Sequence, residues 1–222
     1  MIALKNEIYA YHAPTNQLTL LAQPEIKPEI RFNDGKCDPQ GRFWVGTMSM
    51  TGKKGDGELY CMHRDGTLKK VLEGVSISNG LAWDQEKSKM YYIDTPTQQV
   101  FSFDFDSKTG EISNRSVVYT FREEDGSPDG MTIDADGMLW VALWGGGKVA
   151  KVNPEEKRWV DSVDVPASLV TSCVFGGDDL QTLYITTARI GLSETQLEKE
   201  PYSGGLFSVR LGVKGTPSYL FL

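Results

Sequence analysis

Asn79-Gly80-Leu81-Ala82-Trp83-Asp84, followed by a polar turn and Met90-Tyr91-Tyr92-Ile93, decides the fold, because the same plan is written three more times. Asn33-Asp34-Gly35-Lys36-Cys37-Asp38 leads to Arg42-Phe43-Trp44-Val45, and Asp129-Gly130-Met131-Thr132-Ile133-Asp134 leads to Met138-Leu139-Trp140-Val141. Thr171-Ser172-Cys173-Val174-Phe175-Gly176 leads to Thr182-Leu183-Tyr184-Ile185. The opening residues 33, 79, 129 and 171 lie 46, 50 and 42 positions apart, a spacing typical of propeller blades. Each copy opens on a small side chain bearing oxygen.

Between these copies a second pattern recurs. Ile8-Tyr9-Ala10-Tyr11-His12, Leu59-Tyr60-Cys61-Met62-His63, Val100-Phe101-Ser102-Phe103-Asp104, Val149-Ala150-Lys151-Val152-Asn153 and Leu206-Phe207-Ser208-Val209-Arg210 each start apolar and end polar. Each passes through a turn-rich segment into another β-prone run, at 18–21, 68–72, 116–121, 159–163 and 218–222. Four strands per unit, repeated around an axis, make an all-β propeller. Helical periodicity is weak everywhere except at Ser193 to Lys199, a segment that reads as a surface loop or short turn. No linker or low-complexity segment divides the chain, so 1–222 is expected to be a single domain. Five outer hairpins against four inner ones imply a chain that opens partway through a blade, with an N-terminus that looks truncated. Its open edges would invite self-association.

Of 222 residues, 40% are hydrophobic and 24% charged, the composition of a soluble globular protein. A formal net charge of −7 argues against a nucleic-acid or anionic-membrane partner. No apolar run approaches a membrane span, and no signal peptide is visible. Three cysteines without framework spacing suggest reduced thiols in a cytoplasm-like compartment. Cys37 and Cys173 fall within expected strands and read as core packing.

Innermost propeller strands run along the central axis, so equivalent repeat positions converge at one channel mouth. Asn33, Asn79, Asp129 and Thr171 would gather there, an oxygen set suited to Ca²⁺ or Mg²⁺ with waters completing the shell. Asn and Asp before Gly are also ordinary turn residues, so the repeat alone supports structural turns equally well. His12 and His63 share one strand-end position occupied elsewhere by Asp104, Asn153 and Arg210, which leaves a Ser-His-Asp mechanism without a base. Trp144-Gly145-Gly146-Gly147 reads as a wide hairpin turn, since no Gly-Lys-Ser/Thr ending or helix follows. Asp134-Ala135-Asp136-Gly137 reads as a turn rather than a calcium loop, because the final Glu is absent. Trp44, Trp83 and Trp140 are taken to recur in register as packing between blades.

Arg31-Phe32-Asn33-Asp34-Gly35-Lys36 with Gly41-Arg42-Phe43-Trp44-Val45-Gly46-Thr47-Met48 resembles the signature of the SMP-30/gluconolactonase/regucalcin family. So do Ile77-Ser78-Asn79-Gly80-Leu81-Ala82-Trp83, Pro128-Asp129-Gly130-Met131, Leu139-Trp140-Val141-Ala142, Thr171-Ser172 with Phe175-Gly176-Gly177, and Gly204-Gly205-Leu206-Phe207, in order along the chain. The resemblance implies a six-bladed propeller that hydrolyses sugar lactones with a divalent metal, Ca²⁺, Mg²⁺, Zn²⁺ or Mn²⁺, in its channel. It implies Asn79 and Asp129 as metal ligands, Asp129 also as proton carrier, and Arg31 and Asn33 as substrate contacts. The family's Glu-Gly-Pro ligand stretch does not occur here, and Met50 and Thr51 stand where a substrate-contacting Glu is expected. On this reading the first blade and the innermost strand of the next are absent, and activity would suffer. A non-catalytic propeller that binds metal or a small molecule is the alternative.

Overall fold

The structure, a computed structural model, describes residues 1–221. It is built almost entirely of strands, in five antiparallel meanders. Sheet I comprises β1 (Ile2–Ala3), β2 (Ile8–His12) and β3 (Gln17–Ala22). Sheet II holds β4 (Ile30–Cys37), β5 (Phe43–Ser49), β6 (Gly57–Met62) and β7 (Leu68–Val75). In sheet III the strands are β8 (Ser78–Asp84), β9 (Lys89–Asp94), β10 (Gln99–Phe105) and β11 (Ile112–Thr120). Sheet IV contains β12 (Ser127–Ile133), β13 (Leu139–Trp144), β14 (Lys148–Asn153) and β15 (Arg158–Asp164). Sheet V ends the series with β16 (Val170–Gly176), β17 (Thr182–Thr187) and β18 (Leu206–Arg210).

Strands β4, β8, β12 and β16 lie side by side as the inner strands of successive sheets. Bridges Met48↔Ile77 and Trp144↔Leu169 join one sheet to the next. The arrangement is a β-propeller of five blades. Hydrophobic side chains fill the spaces between blades: Trp44, Leu59, Leu81 and Phe103 between sheets II and III, Tyr91, Ile93, Met131 and Val141 between III and IV, and Trp140, Val170 and Phe175 between IV and V. Alternating strands present one face to each neighbour, which is why nearly every residue of β8 and β9 is buried.

Glycine permits this close approach. A side chain at Gly80 would overlap the Asp129 backbone and Met131, and one at Gly130 would overlap Ser172. Strands β8, β12 and β16 can therefore approach this closely only because Gly80 and Gly130 stand there.

Three sequence expectations need correction. The fifth outer hairpin does not form, since 211–221 contains no strand and Leu222 lies outside the described residues. Instead Gly215 bridges Asp134, Thr216 N–H donates to Ile133 O, and Phe221 packs with the cluster around Ile8 and Phe43. Pro217 supplies no N–H for a ladder, and the tail finds its partners in sheets II to IV instead. The 193–199 segment forms a short helix, α1 (Glu194–Lys199), because Ser193 and Gln196 close a capping box. Trp83 is not in register with Trp44 and Trp140. Those two stand on second strands and donate Nε1–H to Asp38 and Asp134, whereas Trp83 sits on inner strand β8 and Tyr91 takes the equivalent position. All three still pack between blades, Trp44 against Trp83 at 5.9 Å and Trp140 against Phe175 at 5.7 Å.

Candidate functional site at the channel mouth

The repeated opening residues share one backbone device. Pairing between β4 and β5 skips from Phe32 to Gly35, between β8 and β9 from Ser78 to Leu81, and between β12 and β13 from Pro128 to Met131. Between β16 and β17 it skips from Val170 to Ser172. A bulge thus falls on Asn33-Asp34, Asn79-Gly80, Asp129-Gly130 and Thr171, and bulges re-aim side chains out of the sheet's ordinary alternation.

Arg31, Asn33, Asn79 and Asp129 form a connected chain across three blades. Arg31 Nη1 donates to Asn33 Oδ1 at 3.0 Å and to Phe32 O at 2.8 Å. Asn33 Nδ2 donates to Ser78 O at 2.9 Å, beside Asn79. Asn79 is 5% exposed, and its amide faces Asp129. Its Nδ2 donates to Thr95 Oγ1 at 2.8 Å. Both ends of the Asn33 amide are engaged with protein, whereas Asn79 Oδ1 accepts no hydrogen bond from a described residue. Thr171 stands apart: its hydroxyl meets Thr186 on the next strand of its own sheet, at 2.7 Å.

Asp129 is electrostatically unusual. Burial and the nearby Asp34 carboxylate raise its pKa to about 7, against the weaker opposing pull of the Asn79 amide and the Gly130 N–H. Beneath it, Lys36 Nζ reaches from β4 to Met131 O on β12 at 2.6 Å. Those strands are not neighbours, so this bond spans the channel. Burial lowers the pKa of Lys36 and raises that of Asp34, while the charge of each draws the other back towards its usual value.

Sequence reading missed Asp34, Lys36 and Thr95. For the first two a signal existed: Asp34 and Lys36 stand where the other copies carry Gly80 and Ala82, Gly130 and Thr132, or Ser172 and Val174. Two opposite charges in an otherwise small or uncharged inner-strand pattern mark a channel that holds charge. The histidines lie elsewhere, His12 on Thr15 in an exposed turn and His63 at the β6–β7 turn.

A hard divalent cation fits the chemistry at this mouth in part. Asn79 offers a free amide oxygen, and Asp129 is a carboxylate without an ion-pair partner among the described residues. No group of three or more His, Cys, Asp or Glu that could hold a metal occurs among the described residues, so amide oxygens and water would have to complete the shell.

Comparisons with known proteins agree with this architecture. Residues 1–189 match the family described as SMP-30/Gluconolactonase/LRE-like region. A Bacillus subtilis (strain 168) protein named "Putative sugar lactone lactonase YvrE" is 48% identical over 216 residues, covering 97% of this chain and 74% of that one. Regucalcin of Danio rerio is 44% identical over 207 residues, covering 92% and 70%. Among solved structures, a calcium-binding protein, regucalcin, from Agrobacterium tumefaciens superposes with a TM-score of 0.94 at 29% identity, over 100% of this chain and 75% of that one. The chain is a member of the SMP-30/gluconolactonase family.

Proposed function

We propose that this protein hydrolyses sugar lactones at the mouth formed by Arg31, Asn33, Asn79 and Asp129. The observation that carries the reading is the Asp129 carboxylate, brought to a pKa of about 7 beside the free Asn79 oxygen. A group that titrates near neutrality can both take and return a proton, as general acid–base chemistry requires. Asp129 removes a proton from the attacking water as its oxygen adds to the lactone carbonyl. It returns that proton to the ring oxygen as the ester bond opens to the hydroxy acid. Arg31 and Asn33, tied to each other, present remaining N–H donors to the sugar hydroxyls. A divalent cation held by Asn79 Oδ1 and Asp129 would supply positive charge that polarises the carbonyl. Calcium is one candidate, because the Agrobacterium regucalcin bears the name of a calcium-binding protein; Mg²⁺, Zn²⁺ and Mn²⁺ suit the same oxygen donors.

The family likeness further supports a ring designed for six blades, with the open faces of sheets I and V flanking the sixth position. The three free cysteines suit a reducing, cytoplasm-like compartment. Turnover of an aldonolactone, measured with and without EDTA, tests the catalytic reading. Hydrolysis that survives both EDTA and Asp129→Asn would rule it out. The sparse carboxylate set favours a second reading, a propeller that binds a cation or a sugar acid without turnover. Cation binding in the absence of any hydrolysis would select it.

A further inference from the structure

Thr95 follows β9 and opens a single 3-10 turn, Thr95–Thr97, at the channel mouth. Its hydroxyl has one proton and two partners. Pro128 O, at 2.7 Å, can only accept, so the Thr95 proton is committed there. The Asn79 contact at 2.8 Å must then run the other way, with the amide nitrogen donating. That donation fixes which end of the Asn79 amide faces Thr95 and leaves Oδ1 as the free end. The corner that carries Thr95 is itself anchored: Asp94 accepts from Ser76 N and Ile77 N, and Thr95 N donates to Ile77 O at 3.1 Å. The chain entering β8 is thus held by the residue pair that orients the β8 side chain.

We infer that Thr95 is a positioning residue. It sets the amide orientation of Asn79 and, through Pro128, the placement of the backbone that carries Asp129. This rests on the reading of Asn79 as a cation ligand. An Asn amide is nearly symmetric in shape, so without a directing partner it can turn over and present its NH₂ group to the cation. The hydroxyl is the partner that selects oxygen. The bond to Pro128 O crosses from sheet III to sheet IV, so together with the Asn79 bond it couples the two inner strands β8 and β12 at the site.

The test is calorimetric titration of the whole chain with CaCl₂ and, separately, MnCl₂, alongside thermal melting. Thr95→Val keeps the shape and removes both hydrogen bonds; Thr95→Ser keeps the hydroxyl; Asn79→Ala removes the ligand. Expected are a Kd raised about 10–100-fold in Thr95→Val, the range for outer partners of metal ligands, and a Kd within about threefold of the original in Thr95→Ser. Thr95→Ala replaces the valine variant if that one fails to fold. A folded Thr95→Val or Thr95→Ala protein with unchanged Kd, while Asn79→Ala loses binding, overturns the role of Thr95 and leaves Asn79 as ligand. Equal losses in Thr95→Ser and Thr95→Val would make the contribution one of packing and also overturn it. Unchanged binding in Asn79→Ala, or no cation binding by the original chain, removes the ligand reading and this inference with it.

Discussion

Asp129 carries a cost that follows from its surroundings. Its pKa is raised to about 7 by burial and by Asp34, whereas in the unfolded chain it titrates as an ordinary carboxylate near 4. Between those values the folded protein holds a proton that the unfolded chain has lost. This contribution to stability is complete below about pH 4 and is lost as pH rises through about 7. The melting temperature of the cation-free protein should fall from pH 5 to pH 8 on this account, and added CaCl₂ should restore it at pH 8. Asp129→Asn, which mimics the neutral acid, should flatten that fall while lowering lactone turnover by 10²-fold or more. A steep fall that persists unchanged in Asp129→Asn would place the titrating group elsewhere. Replacing His12 and His63 together by Ala should leave turnover unchanged, because neither side chain meets the channel. Asn33, Asn79 and Asp129 were legible because a repeat places like positions close in space, whereas Thr171, at the fourth such position, turns its hydroxyl to Thr186 of its own sheet. Thr95 was not, because its role is a hydrogen bond between sheets, and only the folded geometry shows which atoms meet.

Blades are stitched at their turns by buried carboxylates. Asp38 accepts from Gln40 N and Arg42 N, from Arg42 Nε at 2.6 Å and from Trp44 Nε1 at 2.9 Å. Arg42 then reaches Ser107 O and Lys108 O in sheet III. Asp134 repeats the plan with Asp136 N, Met138 N and Trp140 Nε1, and pairs with Lys151 at 3.5 Å. Asp38→Ala would leave the buried Arg42 guanidinium without its counter-charge and the Trp44 N–H without its acceptor, at a cost of roughly 3–5 kcal/mol in urea unfolding. A loss under about 1 kcal/mol would show that water replaces the carboxylate without penalty. Gly46→Ala should be comparably harmful, since the new methyl would overlap the Ser78 hydroxyl on the neighbouring blade. Hairpins of this kind are readable from alternation and turn residues, which are local signals. The path of 211–221 was not, because a β-prone run looks alike whether it joins its own sheet or crosses beneath others.

At the scale of the molecule, sheets II, III and IV each have a blade on both sides, whereas the outward faces of I and V meet none of the described residues. Pairing in sheet I sets Tyr9 opposite Leu20 and Tyr11 opposite Leu18, so these four share one face, on which Leu18 is 49% and Leu20 48% exposed. In sheet V, Val174 lies opposite Tyr184, with Leu206 beside them at 68% exposure. Blade faces elsewhere in the protein are covered by a neighbour, and apolar sheet faces left open drive association. The chain should therefore form dimers or larger species at micromolar concentration, read by sedimentation velocity, and should bind a hydrophobic dye. Leu18→Lys with Leu20→Lys should shift the population towards monomer without lowering the melting temperature, because these side chains support no core cluster. Any cation affinity should be unchanged in that variant, since the substitutions lie on sheet I while Asn79 and Asp129 sit on β8 and β12. A chain that is already monomeric and dye-silent would defeat this expectation, and it would mean that the two open faces are stable in water as they stand.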